Sequence, residues 1–351
     1  MIPPATRVAP AECAGDLVQK ADLTPPPGNP PVVAGTRTAD LLGLARDPFL
    51  ISTLYRHPDR LGSVGNAVGA IGVNAGWRDE GGTPWFIEQQ RYGADRVQAG
   101  VVLNDAALVS MGLRVLQWGF ARQAADGGFP GTGDPVHSTS LFVEAAARSA
   151  CLLQRSGVPL FAKEGEKLTP KVLAAARWLA EREGDPAARA WTLDPYTHRF
   201  YLRAAALGEA AALTGDHALA QAAANLARDG LAKQLPDGTN PEKGGFDVSY
   251  QLVGLYYAMC YFSVCEDPAL RAGLREMARK ALARVQPKIA ADGTISLKGS
   301  LRVGREPGRS GRTKTFDYKN SIQGLVFAGL LLDDPSFQVA AEQLAQGHAW
   351  K

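Results

Sequence analysis

The chain has 351 residues, 46% of them hydrophobic and 21% charged, with a formal net charge of +3. This is ordinary globular composition, with room for one large core. So mild a positive charge does not point to nucleic acid, and no run approaches the roughly 18 apolar residues of a membrane span.

Residues 1–31 are rich in Pro and Ala and lack the apolar segment of a secretory signal, so they read as an extended tail before a single domain over 32–351. Helices are expected near 37–57, 104–124, 137–156, 169–184, 195–214, 216–235, 248–265, 268–286, 318–333 and 335–347. Several starts are punctuated by Asp or Thr followed by Pro, at Asp47-Pro48, Thr169-Pro170, Asp194-Pro195, Asp267-Pro268 and Asp334-Pro335. There a side-chain oxygen satisfies the first amides and Pro fits the first helical position. The stretch 62–100 shows no clean helical period, and its Trp77, Trp85 and Tyr92 suit either a rim lid or plain packing.

Three Asp-Gly turns punctuate the rest: Asp126-Gly127 leads to His137, Asp237-Gly238 to Tyr250, and Asp292-Gly293 to Tyr318-Lys319-Asn320. Each is followed by a helix that opens with polar side chains and closes in Ala and Leu. Helices 169–184 and 268–286 carry charge on one face, as an outer layer does, whereas 137–156, 195–214, 248–265 and 318–333 are rich in Ala, Gly and Leu. The pattern predicts an all-α fold, an (α/α) toroid of six or seven hairpins, with a small β-hairpin over 294–303. The polar helix starts should converge at one end. Cys13, Cys151, Cys260 and Cys265 fit no metal spacing, and the last three sit in apolar helical text where a buried thiol is expected.

No phosphate loop, Gly-x-Ser-x-Gly elbow, His-Glu-x-x-His or zinc-spaced cysteine pair occurs, so neither metal nor cofactor is expected. What remains lies at the inner-helix starts. His198 and Arg199 open one helix and His137 another, while Lys243 and a Gly-Gly pair precede Ser249-Tyr250-Gln251. A basic stretch of Lys298, Arg302, Arg305, Arg309, Arg312, Lys314 and Lys319, opposed by Glu306 and Asp317, runs into Tyr318-Lys319-Asn320. Arg and Lys so clustered suit a polyanion. In a uronic acid chain, neutralising the carboxylate acidifies H5, and a tyrosine whose pKa nearby cations lower could take that proton and return one to O4.

In these residues the chain resembles the (α/α) toroid polysaccharide lyases, nearest the glucuronan and alginate lyases of polysaccharide lyase family 38. Those enzymes use a His and a Tyr on successive inner helices with a basic residue before the Tyr, an order matched by Thr197-His198, Lys243 and Tyr250. Alginate lyases of this fold place Asn-His where this chain has Thr197-His198. The neutralising group must then come from Asn320, Gln251 or His137, and Lys243 in place of Arg leaves that cation open. The resemblance implies elimination on glucuronan first and polymannuronate second, with Tyr250 and His198 catalytic. His137, Arg199, Lys243, Gln251, Arg302, Arg305, Tyr318, Lys319, Asn320 and Trp77 would bind substrate. A tyrosine acting alone needs H5 and O4 on one side of the ring, which disfavours guluronate. A periplasmic or secreted monomer acting on an acidic polysaccharide, without nucleic acid or membrane partners, is expected. A glycoside hydrolase using Asp134, Asp194 or Asp247, such as an unsaturated glucuronyl hydrolase, and a non-catalytic glycan binder remain as alternatives.

Overall fold

The computed structural model describes residues 41–76, 85–308 and 311–348. The expected tail 1–31, Cys13, Trp77 and Arg309 lie outside them. Among the described residues, ten long helices form five consecutive hairpins: α1 (Gly93–Leu103) with α2 (Ala106–Phe120), α3 (Pro135–Arg155) with α4 (Pro159–Arg182), α5 (Thr197–Thr214) with α6 (His217–Ala232), α7 (Val248–Val264) with α8 (Pro268–Val285), and α9 (Tyr318–Leu332) with α10 (Pro335–Gly347). The odd helices pack on one another in chain order as an inner ring, and each even helix packs on its own partner outside it. This is the (α/α) toroid.

Composition explains the two layers. Thr197 to Ala211 of α5 is buried without a break, whereas α8 buries the stripe Leu270, Leu274, Met277, Ala278, Ala281, Leu282 and Val285 and turns its charges outward. Small residues set the spacing of the inner ring, since a Cβ on Gly324 would lie 2.9 Å from the Tyr256 backbone. The gap between α9 and α1 is bridged by the segment that begins at Leu41. Its Tyr55 hydroxyl accepts from Gln98 of α1 and Gln323 of α9, and Lys319 of α9 pairs with Asp95 of α1.

The three Asp-Gly turns share one geometry. At Ala124–Gly128, Leu235–Thr239 and Ala290–Thr294 the first N–H donates to the fifth carbonyl at 2.8–2.9 Å. The Asp carboxylate accepts from the amide two residues on. Gly127, Gly238 and Gly293 have φ of 90°, 84° and 79°, and a Cβ there would meet carbonyl oxygens of the next outer helix, Ala174, Lys280 and Gln343, at 2.2, 2.4 and 2.0 Å. Only glycine supplies both the conformation and the space. A fourth copy, Asn66–Ala70, repeats the hydrogen bonds and docks Gly69 on Arg114 of α2.

Four expectations are corrected. α1 falls in the stretch that showed no helical period, because Gly93 to Val101 is buried on every side and has no polar face to alternate with. Thr169-Pro170 starts nothing. Pro170 lies inside α4, where Leu168, Val172, Ala175, Ala176 and Leu179 pack inward and offset the roughly 3 kcal/mol cost of an interior Pro. Asp194 caps no helix, since α5 begins at Thr197 after Tyr196, and Asp194 instead lies 3.5 Å from Lys233. The β-hairpin over 294–303 does not form; an isolated bridge pairs Ile289 with Ile295, and a turn follows. Cys151, Cys260 and Cys265 are buried free thiols.

Candidate active site

The amino ends of the inner helices open into one cavity of about 1170 Å³. Aspartates build these helix starts: Asp247 accepts from the amides of Ser249 and Tyr250 and also from those of Arg302 and Val303, and Asp317 accepts from Asn320. Asp247 thereby ties the start of α7 to the 300–303 loop and delivers Arg302 to the face of Tyr250. It is fully buried as a cap, so it is not available as a hydrolytic acid.

His198, Arg302 and Tyr250 form the heart of the cavity wall, with Glu242 buried behind them. The loop before α7 is stitched to the start of α5: Lys243 N–H donates to Pro195 O at 2.6 Å, and Thr197 N–H and hydroxyl donate to Pro241 O. This brings Glu242 beneath His198. Its Oε1 accepts from the His198 amide at 3.1 Å and lies 2.7 Å from Nδ1, while Oε2 accepts from Arg302 Nη1 at 2.7 Å. The Arg302 guanidinium stacks 3.7 Å from the Tyr250 ring centre. The Tyr250 and His198 rings are 4.6 Å apart between centroids.

Burial sets the protonation states. Burial opposes the Glu242 charge, but the bonds from His198 and the Arg302 guanidinium outweigh it, so its pKa falls below the usual carboxylate value. Burial lowers His198 despite Glu242, leaving a neutral imidazole at pH 7. Because ionised Glu242 can only accept, the His198 proton sits on Nδ1, and Nε2 carries a lone pair. Tyr250 is pushed up to about 12 by burial, which outweighs the opposing pull of Arg302. It is a protonated phenol. The expected downward shift of the tyrosine does not occur.

The cavity also collects other residues expected in the site: His137, Arg199, Lys243, Tyr318, Lys319 and Asn320 line it with Tyr250, His198 and Arg302. Arg199 donates to Thr192 O and lies 4.0 Å from Asp134. Tyr318 stacks on His348 at 3.8 Å, and Asn320 donates its amide to Asp317. Two expected residues are elsewhere. Gln251 is fully buried, with its side chain accepting from Asn240 N–H and donating to Gly238 O, so its amide is spent holding the turn. Arg305 is exposed away from the wall, and Trp77 lies outside the described residues.

The basic stretch is largely neutralised from within. Glu306 is held by Arg302, Lys243 and Lys314, whose hydrogen bonds outweigh its partial burial and hold its pKa down to about 2. Arginines and lysines outnumber acids along the wall seven to five, so the surplus is modest. Glu242 carried no assigned role in the sequence, where its one signal was its place directly before Lys243-Gly244-Gly245. Arg91, which hydrogen-bonds the Tyr92 hydroxyl and lines the cavity, gave none.

Neither a family model nor a curated protein matches the sequence. Solved structures do match. The unsaturated glucuronyl hydrolase of Bacillus sp. GL1 aligns with a TM-score of 0.54 at 16% identity, over 87% of this chain and 81% of that one. A D-mannose isomerase aligns at 0.53 and 11% identity, over 86% and 85%, and a polysaccharide lyase at 0.50 and 13%, over 85% and 90%. Such identities carry the fold alone: the chain shares its (α/α) toroid with proteins of three different chemistries, and its own must be read from the cavity.

Proposed function

We propose that this chain is a polysaccharide lyase cleaving a β-1,4-linked polyuronate, glucuronan first and polymannuronate second, by β-elimination. One observation carries the reading: a neutral imidazole with a lone pair on Nε2 and a protonated phenol lie ring to ring on the cavity wall, with Arg302 stacked on the phenol. Environments that push two groups to opposite roles assign the base and the acid. His198 takes the C5 proton, the C4–O4 bond breaks as the C4–C5 double bond forms, and Tyr250 gives its proton to the departing O4. The imidazolium proton then returns to the tyrosinate. Arg199 on the cavity wall supplies positive charge for the substrate carboxylate, while Arg302, held between Glu242 and Glu306, fixes the Tyr250 ring. Two neighbouring groups on one wall still reach H5 and O4 from the same side of the ring, so guluronate remains disfavoured.

Hydrolysis fits less well. An acid catalyst on a glycosidic oxygen needs a carboxyl with a raised pKa. Among the described residues, Glu183 and Glu209, which burial raises, lie outside the cavity, and Glu242 and Glu306 beside Arg302 are held low; Glu88 and Asp134 are the other carboxyls near His137 on the cavity wall. On this reading the enzyme acts as a monomer in the periplasm or outside the cell, where an acidic polymer too large to enter would be met.

Ultraviolet absorbance of the unsaturated uronate distinguishes the chemistries. The protein is given glucuronan, polymannuronate, polyguluronate and, separately, an unsaturated glucuronyl oligosaccharide. A rise on a polymer is expected. A fall on the oligosaccharide with no rise on any polymer would replace the lyase with a hydrolase.

A further inference from the structure

About two to three helical turns along the inner helices from His137, His198 and Tyr250, the middle of the ring holds a second polar cluster that the proposed chemistry does not use. Glu144 of α3, Glu209 of α5 and Cys260 of α7 come from three neighbouring helices, and their donor atoms all lie within 4.8 Å of one another. All three residues are buried, Glu209 and Cys260 at 0% exposure. Glu144 is paired with Arg148 at 2.9 Å. Neither oxygen of Glu209 has a hydrogen-bond partner. A carboxyl fully withdrawn from water and left without a donor costs about 1–3 kcal/mol or more, so something is expected to occupy its lone pairs.

We propose that Glu144, Glu209 and Cys260 bind a structural zinc ion that ties α3, α5 and α7 together. A thiolate with two carboxylates selects a soft, four-coordinate divalent ion over calcium or magnesium, which take oxygen alone. The fourth position is left to a non-protein ligand.

Charge balances on both sides of the binding step. Without metal the ionised pair Glu144–Arg148 is neutral, as are a protonated Glu209 and the Cys260 thiol; burial favours those last two forms, with the Glu144 charge adding to it. On binding, the Glu209 carboxyl and the Cys260 thiol each release a proton to water, and the two charges lost replace those of the ion. Tyr256, Tyr257 and the Cys151 thiol complete the titratable surroundings. His198 and Glu209 are eleven residues apart on α5, and Tyr250 and Cys260 ten apart on α7, each about 15 Å along a helix. The ion would therefore fix the relative register of the helices that carry His137, His198 and Tyr250 without touching the reaction.

The closed position of the site means that metal enters as the ring assembles. Full-length protein without an affinity tag is unfolded, refolded with excess zinc or cobalt, desalted, and assayed for bound metal. Stoichiometric zinc and a sulfur-to-cobalt charge-transfer band are expected. Cys260→Ala should abolish the band and Glu209→Gln should lose most of the metal, while Cys265→Ser, outside the cluster, should keep both. Wild-type protein that retains no metal after refolding overturns the proposal. So does a Cys260→Ala variant with undiminished zinc. The wild-type spectrum stands on its own, so a variant that fails to fold leaves the test decisive.

Discussion

Replacing Glu242 with Gln removes one charge and one acceptor from behind the cavity wall while keeping the side chain's shape. Glu242 is fully buried and accepts from His198 on one oxygen and from Arg302 on the other. In the variant one of those oxygens becomes an NH2 group. Turned toward Arg302, it sets donor against donor and leaves a guanidinium whose side chain is 6% exposed with Glu306 as its remaining counter-charge. Removing one partner of a buried pair costs about 3–5 kcal/mol, and the surviving Glu306 contact places this change near the lower end, about 3 kcal/mol. At about 1.5 °C per kcal/mol for a chain of this length, Tm should fall by roughly 4–5 °C at pH 7. The sign of the pH effect follows from linkage. The folded pKa of Glu242 is depressed, so its stabilisation is complete above the unfolded carboxylate value near 4.3 and is lost as pH falls through the folded value. Calorimetric melts of both proteins at pH 7 and below pH 4 should show the gap closing in acid. A variant within about 1 °C of wild type at pH 7, which is under about 1 kcal/mol, would refute the buried pair as the origin.

Tyr250→Phe should keep the fold and lose about 10²- to 10⁴-fold in kcat, the span of general acid–base catalysis, with substrate affinity largely retained; equilibrium binding and single-turnover absorbance separate the two effects. The rate of the wild type should fall as pH drops through the depressed His198 pKa, below the ordinary 6.5, because the imidazolium has no lone pair. No alkaline limb should appear until pH approaches the Tyr250 value of about 12; a bell that declines from pH 8 would contradict the assignment of base and acid. Gly238→Ala and Gly157→Ala have similar φ, 84° and 80°, but only the first meets a carbonyl oxygen, at 2.4 Å. The first should cost about 3 kcal/mol and the second about 1 in denaturant unfolding, and equal losses would remove the docked turn from the account.

The two-layer ring was legible because each hairpin states its burial in its own composition: α8 alternates apolar and charged residues, while α5 and α7 are apolar or small over most of their length. The Asp-Gly turns were legible for a local reason as well, since an accepting carboxylate and a left-handed glycine are both needed within two residues. The fourth copy, with Asn66 and Gly69 in place of that dipeptide, performs the same docking with different letters and passed unread. Convergence of His137, His198, Tyr250 and Tyr318 at one end followed from the repeat alone. Glu242 did not, because its partnership with His198 spans 44 residues and depends on how the 240–246 loop is pinned to the start of α5.

Charge was the most misleading signal. Counted along the sequence, the 298–319 stretch is strongly basic and should acidify a neighbouring tyrosine. In the folded chain Arg302 stands between Glu242 and Glu306, and Lys243 and Lys314 share Glu306. A guanidinium 3.7 Å from the Tyr250 ring, flanked by two carboxylates, presents little net field, whereas removal from water acts on the phenolate in full. Burial therefore wins, and Tyr250 stays a protonated phenol, the form that the proposed mechanism uses as proton donor. The same withdrawal from water keeps His198 neutral, so one physical cause sets both halves of the pair in opposite roles. That cause is visible only once the helices are closed into a ring.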